Sequence, residues 1–255
     1  MSEQVIVSVE NGIQKLTINR AEKKNALTQD MYAILADSLV NAETNPDIRV
    51  SVITGTADSF TSGNDLMDFL QNPAQDEKTP VIRFLNALAI IRKPLVAAVN
   101  GLAVGVGTTM LLHCDLVYAS ENASFTLPFV NLALVPEAAS SYLLPKMLGH
   151  QRAAELLLLG EKFDAEKALR YGIVNEIVSA EDLEKTAMGA AEKLAAKAPE
   201  ALRLAKSLMK GDGDKVLEQM KEEGEIFQSR LVSPEAREAM TAFMERRTPD
   251  FTKFS

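Results

Sequence analysis

Residues Lys93 to Asp115 read KPLVAAVNGLAVGVGTTMLLHCD, and the glycines here are the first feature able to do chemistry. Gly105 and Gly107 leave the backbone bare where an apolar helix is expected to begin. Its first N–H groups have no partner within the helix and can face a ligand, which suits a developing anion. A second reading stands beside it: the glycines let a strand and a helix pack closely. Neither G-x-G-x-x-G nor G-x-x-x-x-G-K-[ST] is present, so the two familiar nucleotide-phosphate loops are excluded. The other candidate is Glu137, flanked by Leu132, Leu134, Val135 and Ala138. Following Pro136 it suits the first turn of a helix, where a carboxylate meets the dipole. Buried among those neighbours it would instead have a raised pKa, which makes a stronger base and a usable acid. His113 and His150 are the only histidines and Cys114 the only cysteine; with no H-E-x-x-H or C-x-x-C, no metal site is expected, and Cys114 reads as packing.

These residues need elements to position them. Leu95 to Val99 is a short continuous apolar run of the kind buried on both faces of a sheet, and Asn100-Gly101 ends it. Val5, Val7 and Val9 alternate, as do Leu16 and Ile18, with Asn11-Gly12 between them as a hairpin turn. Thr28 can cap a helix carrying Met31, Leu35 and Leu39, and Val50 to Ile53 reads as a buried strand. Phe69 to Thr79 reads as a loop or irregular helix. Asp164 can cap a short helix, with Tyr171-Gly172-Ile173-Val174 as its stop and a final strand. Ser179 is expected to cap a helix to about Ala198, Pro199 to open the next through Leu208, and Ser233-Pro234-Glu235 to start another. Leu202, Ala205, Leu208 and Met209 form an apolar stripe, and Glu222, Glu223 and Glu225 read as a solvated face.

With 255 residues, 47% of them apolar, the chain can form one sizeable domain or a domain with an appendage. A net charge of −8 argues against nucleic acid or an anionic membrane as partner. A polyanionic ligand would need local cations, and Lys23 and Lys24 are candidates, although such a pair also reads as a solvated charge run. A single cysteine excludes an intrachain disulfide and predicts a reducing compartment, the cytoplasm. The start lacks a basic segment and a long apolar core, so no signal peptide is expected, and Lys253-Phe254-Ser255 is not a peroxisomal address.

The pattern K-P-x-V-A-A-V-N-G-x-A-x-G-x-G from Lys93 to Gly107, followed by Cys114-Asp115 and Tyr118-Ala119, resembles the crotonase (enoyl-CoA hydratase/isomerase) superfamily. Asn19-Arg20 with Lys24-Asn25-Ala26-Leu27, and Phe60 to Leu66, carry the same resemblance in the same order, and it extends to about Val178. It implies an α/β fold, a spiral of β-β-α turns spanning 1–195 with an acyl-CoA site. A helical region, 196–255, would form trimers or hexamers, with Phe243 and Phe251 as candidates for closing a neighbour's site. It also implies an oxyanion hole made by the N–H groups of Asn64 and Val106, the latter a valine where glycine is usual. Lys24, Ala26, Ser62, Gly63, Asp65, Leu66, Gly105 and Phe129 would lie along the ligand, with Lys24 meeting a phosphate and Phe69 to Thr79 lining the acyl pocket.

Hydratases of that family carry two glutamates where this chain has Thr109 and Phe129, neither of which can activate a water near neutral pH. The segment Val135 to Tyr142 instead resembles the S-P-E-x-x-S-S segment of peroxisomal-type Δ3,Δ2-enoyl-CoA isomerases, in which the glutamate is catalytic. Phe125, Pro128, Phe129, Pro145 and Lys146 extend that match. The resemblance implies isomerisation of 3-enoyl-CoA to trans-2-enoyl-CoA by Glu137, in fatty acid β-oxidation, with no cofactor or metal beyond the coenzyme A of the substrate. An unusual hydratase, another acyl-CoA reaction and a noncatalytic acyl-CoA-binding or scaffolding protein are the alternatives.

Overall fold

The computed structural model describes residues 3–72, 74, 76–211 and 213–254. Val5–Glu10 (β1) and Ile13–Ile18 (β2) pair antiparallel across Asn11-Gly12, whose φ angles of 51° and 79° are those the tight turn requires. Three strand pairs follow: Val50–Gly55 (β3) and Ser59–Thr61 (β4), Leu95–Val99 (β5) and Leu102–Val104 (β6), Leu116–Ser120 (β7) and Ser124–Thr126 (β8). In each pair the first strand joins a larger sheet and the second a smaller one. Phe163–Asp164 (β9) joins the smaller and Glu176–Val178 (β10) the larger. The sheets run β1-β2-β3-β5-β7-β10 and β4-β6-β8-β9, parallel throughout except at β1–β2 and β8–β9.

Helices fill the turns of this spiral. Gln29–Thr44 (α1) precedes the first pair, Leu66–Gln71 (α2) and Pro80–Ile90 (α3) follow it, and Val106–Thr109 (α4) follows the second. Ser140–Leu148 (α5) and His150–Leu159 (α6) follow the third, and Ala165–Arg170 (α7) joins β9 to β10. The chain ends in Leu183–Ala195 (α8), Pro199–Lys210 (α9), Gly213–Leu231 (α10) and Pro234–Met244 (α11). Thr28, Asp164 and Ser233 cap α1, α7 and α11 through their side chains. No helix among the described residues is long and apolar enough to cross a membrane.

The unbroken apolar run of β5 follows from burial on both faces. Leu95, Ala97 and Val99 enter the main core, while Val96 and Ala98, with Val50 and Val52, pack on Leu183, Ala187 and Ala191 of α8. Helix α8 begins later than Ser179 because Ser179 and Asp182 bond to each other in a preceding turn. The final strand likewise starts at Glu176: Ile173 and Val174 are buried outside any strand, and Asn175 exchanges hydrogen bonds with the backbone of Val117. Phe69 begins the stretch expected as a loop or irregular helix and lies inside the short helix α2; Pro73 and Gln75 of that stretch lie outside the described residues, as do Met1, Ser2 and Ser255 of the terminal readings.

Residues 196–255 are built into the core as well as onto it. Val216 and Met220 of α10 join the main apolar cluster, and Lys206 of α9, 3% exposed, pairs with Asp115 at 2.6 Å and donates to the Lys93 carbonyl. Leu208 and Met209 of the expected stripe are exposed, and Leu202 is half-buried.

Candidate active site

The two backbone N–H groups expected as donors, those of Asn64 and Val106, come from adjacent strand ends. Leu27 N–H donates to Gly63 O at 2.8 Å and Asp65 N–H to Leu27 O at 2.8 Å, which forms a parallel bridge between Leu27 and Asn64. In such a bridge the central residue's own N–H points away from the partner strand. Gly63, at φ 91°, packs so closely that a Cβ there would stand 2.9 Å from the Val104 carbonyl oxygen. Gly105, at φ 55° and ψ −115°, turns β6 into α4 in a conformation open to glycine but strained for other residues. Val106 is then the first helical residue, so its N–H has no intrahelical acceptor. Valine is accommodated there because Gly105, not Val106, takes the positive φ.

The helix beyond Val106 is shorter than the sequence suggests. It makes a single turn before a 3₁₀ segment at Met110–His113, and Thr108 Oγ1 ties that turn back to the Ala103 carbonyl of β6 at 2.6 Å. An anion bound here would therefore meet individual N–H groups rather than a long helix dipole. Thr109 is fully buried, with its hydroxyl unpaired among the described residues.

Asn64, Val106 and Glu137 line one cavity of about 620 Å³. Glu137 is half-buried, and it also borders a smaller, mostly apolar cavity of about 50 Å³ on its other side, beside Phe69, Val81 and Phe227. Burial, and then the nearby carboxylate of Glu223, push its pKa up to about 8. Glu137 precedes α5 rather than occupying its first turn. The residues between, Ala138 and Ala139, are both left-handed at φ 59° and 56°. Ser140 N–H and Oγ–H both donate back to the Glu137 carbonyl, at 3.0 and 2.6 Å.

Ala26, Ser62, Gly63, Asp65 and Leu66 line the same cavity on one wall, and Gly105 and Phe129 on another. Asp65 caps α2 through Met67 N–H and Asp68 N–H and pairs with Arg20 at 2.7 Å. Burial works to raise its pKa, but the Arg20 and backbone hydrogen bonds prevail and hold it down. Lys24 departs from expectation: it is not among the lining residues. Left-handed turns at Lys24 and Asn25 send its ammonium to Asp58, 2.8 Å away on the surface, and the lining cation of this loop is Lys23. Phe243 lines its own chain's cavity and Phe251 does not.

Several residues escaped the sequence reading. Glu223 belongs to no solvated face: it is 4% exposed and accepts from Ala139 N–H at 2.6 Å, from Ser141 N–H at 2.9 Å and from the Ser141 hydroxyl. Its spacing with Val216, Met220 and Phe227 places it on the apolar stripe of α10, and that is the signal that marks it. His113 is buried, and burial lowers its pKa to about 4, so the neutral ring donates Nε2–H to the Ala138 carbonyl at 2.9 Å. Tyr32 is fully buried, and its hydroxyl donates to the Asn64 side chain. Cys114, its pKa pushed up to about 12 by burial, is an inert thiol.

The family described as enoyl-CoA hydratase/isomerase matches residues 8–253. The chain is 38% identical over 253 residues to enoyl-CoA delta isomerase 2 of Rattus norvegicus, which covers 96% of this chain but only 64% of that longer protein. It is 36% identical over 261 residues to 1,2-epoxyphenylacetyl-CoA isomerase of Escherichia coli (strain K12), covering 99% of each. A crystal structure of an enoyl-CoA hydratase/isomerase from Pseudoalteromonas atlantica T6c superposes with a TM-score of 0.94 at 44% identity, covering 98% of this chain and 100% of that one. By sequence along nearly its whole length and by its spiral of paired strands, the chain belongs to the enoyl-CoA hydratase/isomerase family and has the crotonase fold.

Proposed function

We propose that this chain is a Δ3,Δ2-enoyl-CoA isomerase, acting on 3-enoyl-CoA thioesters in fatty acid β-oxidation with no cofactor beyond the coenzyme A of the substrate. The observation that carries the reading is the Glu137 carboxyl sharing a cavity with the backbone N–H groups of Asn64 and Val106, while Asp65, the other carboxylate lining it, is engaged by Arg20 and the start of α2, and Thr109 and Phe129 stand where hydratases have glutamates. In this reading the thioester oxygen lies between the two N–H groups. Ionised Glu137 takes a proton from C2, and the electrons move through the carbonyl onto that oxygen as a dienolate. The dienolate collapses as the C3–C4 double bond shifts to C2–C3, and C4 takes the proton back from Glu137. One base serves both carbons, so charge and atoms balance without another group. Each N–H of such a hole is worth about 2.7–4 kcal/mol in the transition state. A carboxyl whose pKa lies near 8 suits both halves of the transfer.

Lys23 is read as the cation that meets the phosphates of coenzyme A. The exposed Leu208 and Met209 stripe is read as a contact between copies in a trimer or hexamer. The rat relative named as a delta isomerase favours this reaction over hydration, and the relative named 1,2-epoxyphenylacetyl-CoA isomerase keeps another acyl-CoA reaction as the second reading. The test is to incubate purified protein with short and medium 3-enoyl-CoA and follow the conjugated 2-enoyl thioester, with Glu137→Gln in parallel. Turnover lost in the variant supports the reading; a variant with the full rate removes Glu137 as the base. Hydration of a 2-enoyl-CoA at a comparable rate would replace isomerisation with the hydratase alternative.

A further inference from the structure

The segment that carries Glu137 is held chiefly by residues distant in sequence. Its Ala138-Ala139 turn places two successive non-glycine residues in the left-handed region, a conformation that persists only when the surroundings enforce it. Helix α5 begins at Ser140 with Ala139 as its cap residue, and alanine offers no side-chain acceptor for the free N–H groups of the first turn. Glu223, reaching in from α10, supplies that acceptor: Oε2 takes Ala139 N–H, and Oε1 takes Ser141 N–H and the Ser141 hydroxyl. Two turns further along α10, about 10 Å by helix rise, Arg230 Nε donates to the Ala133 carbonyl at 3.3 Å. One helix therefore grips the Ala133–Ser141 segment at both ends, with Glu137 between. From the core side, His113 holds the Ala138 carbonyl.

We propose that Glu223 is the positioning residue of this site: its carboxylate fixes the left-handed Ala138-Ala139 turn and thereby sets where the Glu137 carboxyl stands in the cavity. This deepens the reading of Glu137 as base and rests on it. The choice of glutamate is chemical. Both of its oxygens accept from N–H groups, whereas glutamine has one oxygen and would turn an NH₂ toward a donor. The same group acts through its charge, since Glu223 favours the protonated form of Glu137. Beyond burial, the charge acting on Glu137 is that of Glu223 from α10, and Glu137 in turn adds to the rise that burial gives the pKa of the Tyr32 hydroxyl from α1; Asp65, Lys23 and Arg247 line the same cavity. On Glu223 itself burial raises the pKa, the hydrogen bonds from Ser141 and Ala139 oppose it, and Glu222 on its own helix adds to the rise.

The experiment measures kcat, KM and the pH dependence of kcat for 3-enoyl-CoA isomerisation in the full chain, its Glu223→Gln, Ser141→Ala and Glu137→Gln variants, with cooperative thermal unfolding as the check of folding. Glu223→Gln is expected to lower kcat by about 10–100-fold with KM held within about twofold, as for a base moved off its carbon rather than a lost binding contact. The acid limb of the profile is expected to move to lower pH, because the charge that retained the Glu137 proton has gone. Ser141→Ala, which removes one of the three donors, moves both readouts the same way by less. A folded Glu223→Gln protein with unchanged kcat and limb overturns the proposal, as does a loss confined to KM or to stability. Should Glu223→Gln not fold, Ser141→Ala decides by the same criteria. Glu137→Gln at the full rate removes the base reading itself; Glu137→Gln inactive beside an unaltered Glu223→Gln removes only the positioning role.

Discussion

The hydroxyl of Tyr32, on α1, donates to Oδ1 of Asn64, the cavity-lining residue whose backbone N–H is the proposed oxyanion donor. The contact fixes a loop residue from a rigid helix, and Tyr32 lies close enough to Glu137 that, after burial, the carboxylate is the second cause of its raised pKa. The proposed donor and the proposed base therefore share one buried neighbour. Tyr32→Phe keeps the ring against Phe84 but leaves Asn64 without its side-chain partner, at a cost of about 1–3 kcal/mol in stability. The expected kinetic signature is a kcat reduced by about tenfold with KM little changed, because a donor displaced from the oxyanion acts on the transition state. Steady-state kinetics on the folded variant check this, and an equal rise in KM would assign the tyrosine to binding instead.

Gly105 turns the chain at φ 55°, ψ −115°, and a Cβ there would meet nothing within 4 Å. Steric room and backbone strain are thus separated at this position. Gly105→Ala is expected to destabilise the fold by about 1–3 kcal/mol through backbone strain alone. Relaxing that strain rotates the peptide that carries the Val106 N–H, so kcat is expected to fall by more than the stability loss explains. Denaturant unfolding and kcat measured on the same preparation separate the two effects. A variant with wild-type kcat would show that the Val106 donor does not depend on this turn.

Lys23 and Lys24 are adjacent, yet only Lys23 lines the cavity, while Lys24 pairs with Asp58. Lys23→Ala is expected to weaken binding of coenzyme A esters by about 3–10-fold, an effect that shrinks as salt is raised. Lys24→Ala should leave binding nearly unchanged. Titration calorimetry with a nonreacting acyl-CoA at two ionic strengths compares them, and the reverse order of effects would restore Lys24 as the phosphate contact.

That pair marks where the sequence is legible and where it is not. Local chemistry was readable: Asn11-Gly12 names its hairpin, Thr28 its helix start, and the five apolar residues of β5 a strand covered on both faces. Asn64, Val106 and Glu137, chosen from three separated motifs, are brought to one cavity. What escaped depends on tertiary position. Which of two neighbouring lysines faces inward is decided by left-handed residues at Lys24 and Asn25, which composition does not encode. Glu223 sits in a glutamate-rich run, and charge alone suggests solvent. Only its place on the apolar stripe with Val216, Met220 and Phe227 opposes that, and only the fold supplies the unsatisfied N–H groups that make burial tolerable.

The raised pKa of Glu137 also has a cost in stability, and its sign can be worked out. In the unfolded chain the carboxyl has its ordinary value of 4.5, whereas in the folded protein it titrates at about 8. Between those values the folded state holds a proton that the unfolded state releases, so stability falls as pH rises through that window and is level above it. Glu137→Gln removes the titrating group and its buried charge while keeping the shape. The variant is therefore expected to be more stable than the parent by on the order of 2–4 kcal/mol at about pH 9, and to differ little at about pH 4. His113, lowered to about 4, has the opposite slope, losing stability as pH falls from about 6.5, but it acts on both proteins alike and cancels in the difference. Guanidinium unfolding of both proteins at the two pH values measures it. A stability difference that does not change with pH would mean that Glu137 titrates in the folded protein where it does in the unfolded chain, and its high pKa would then have to be abandoned along with its use as an acid in the second proton transfer.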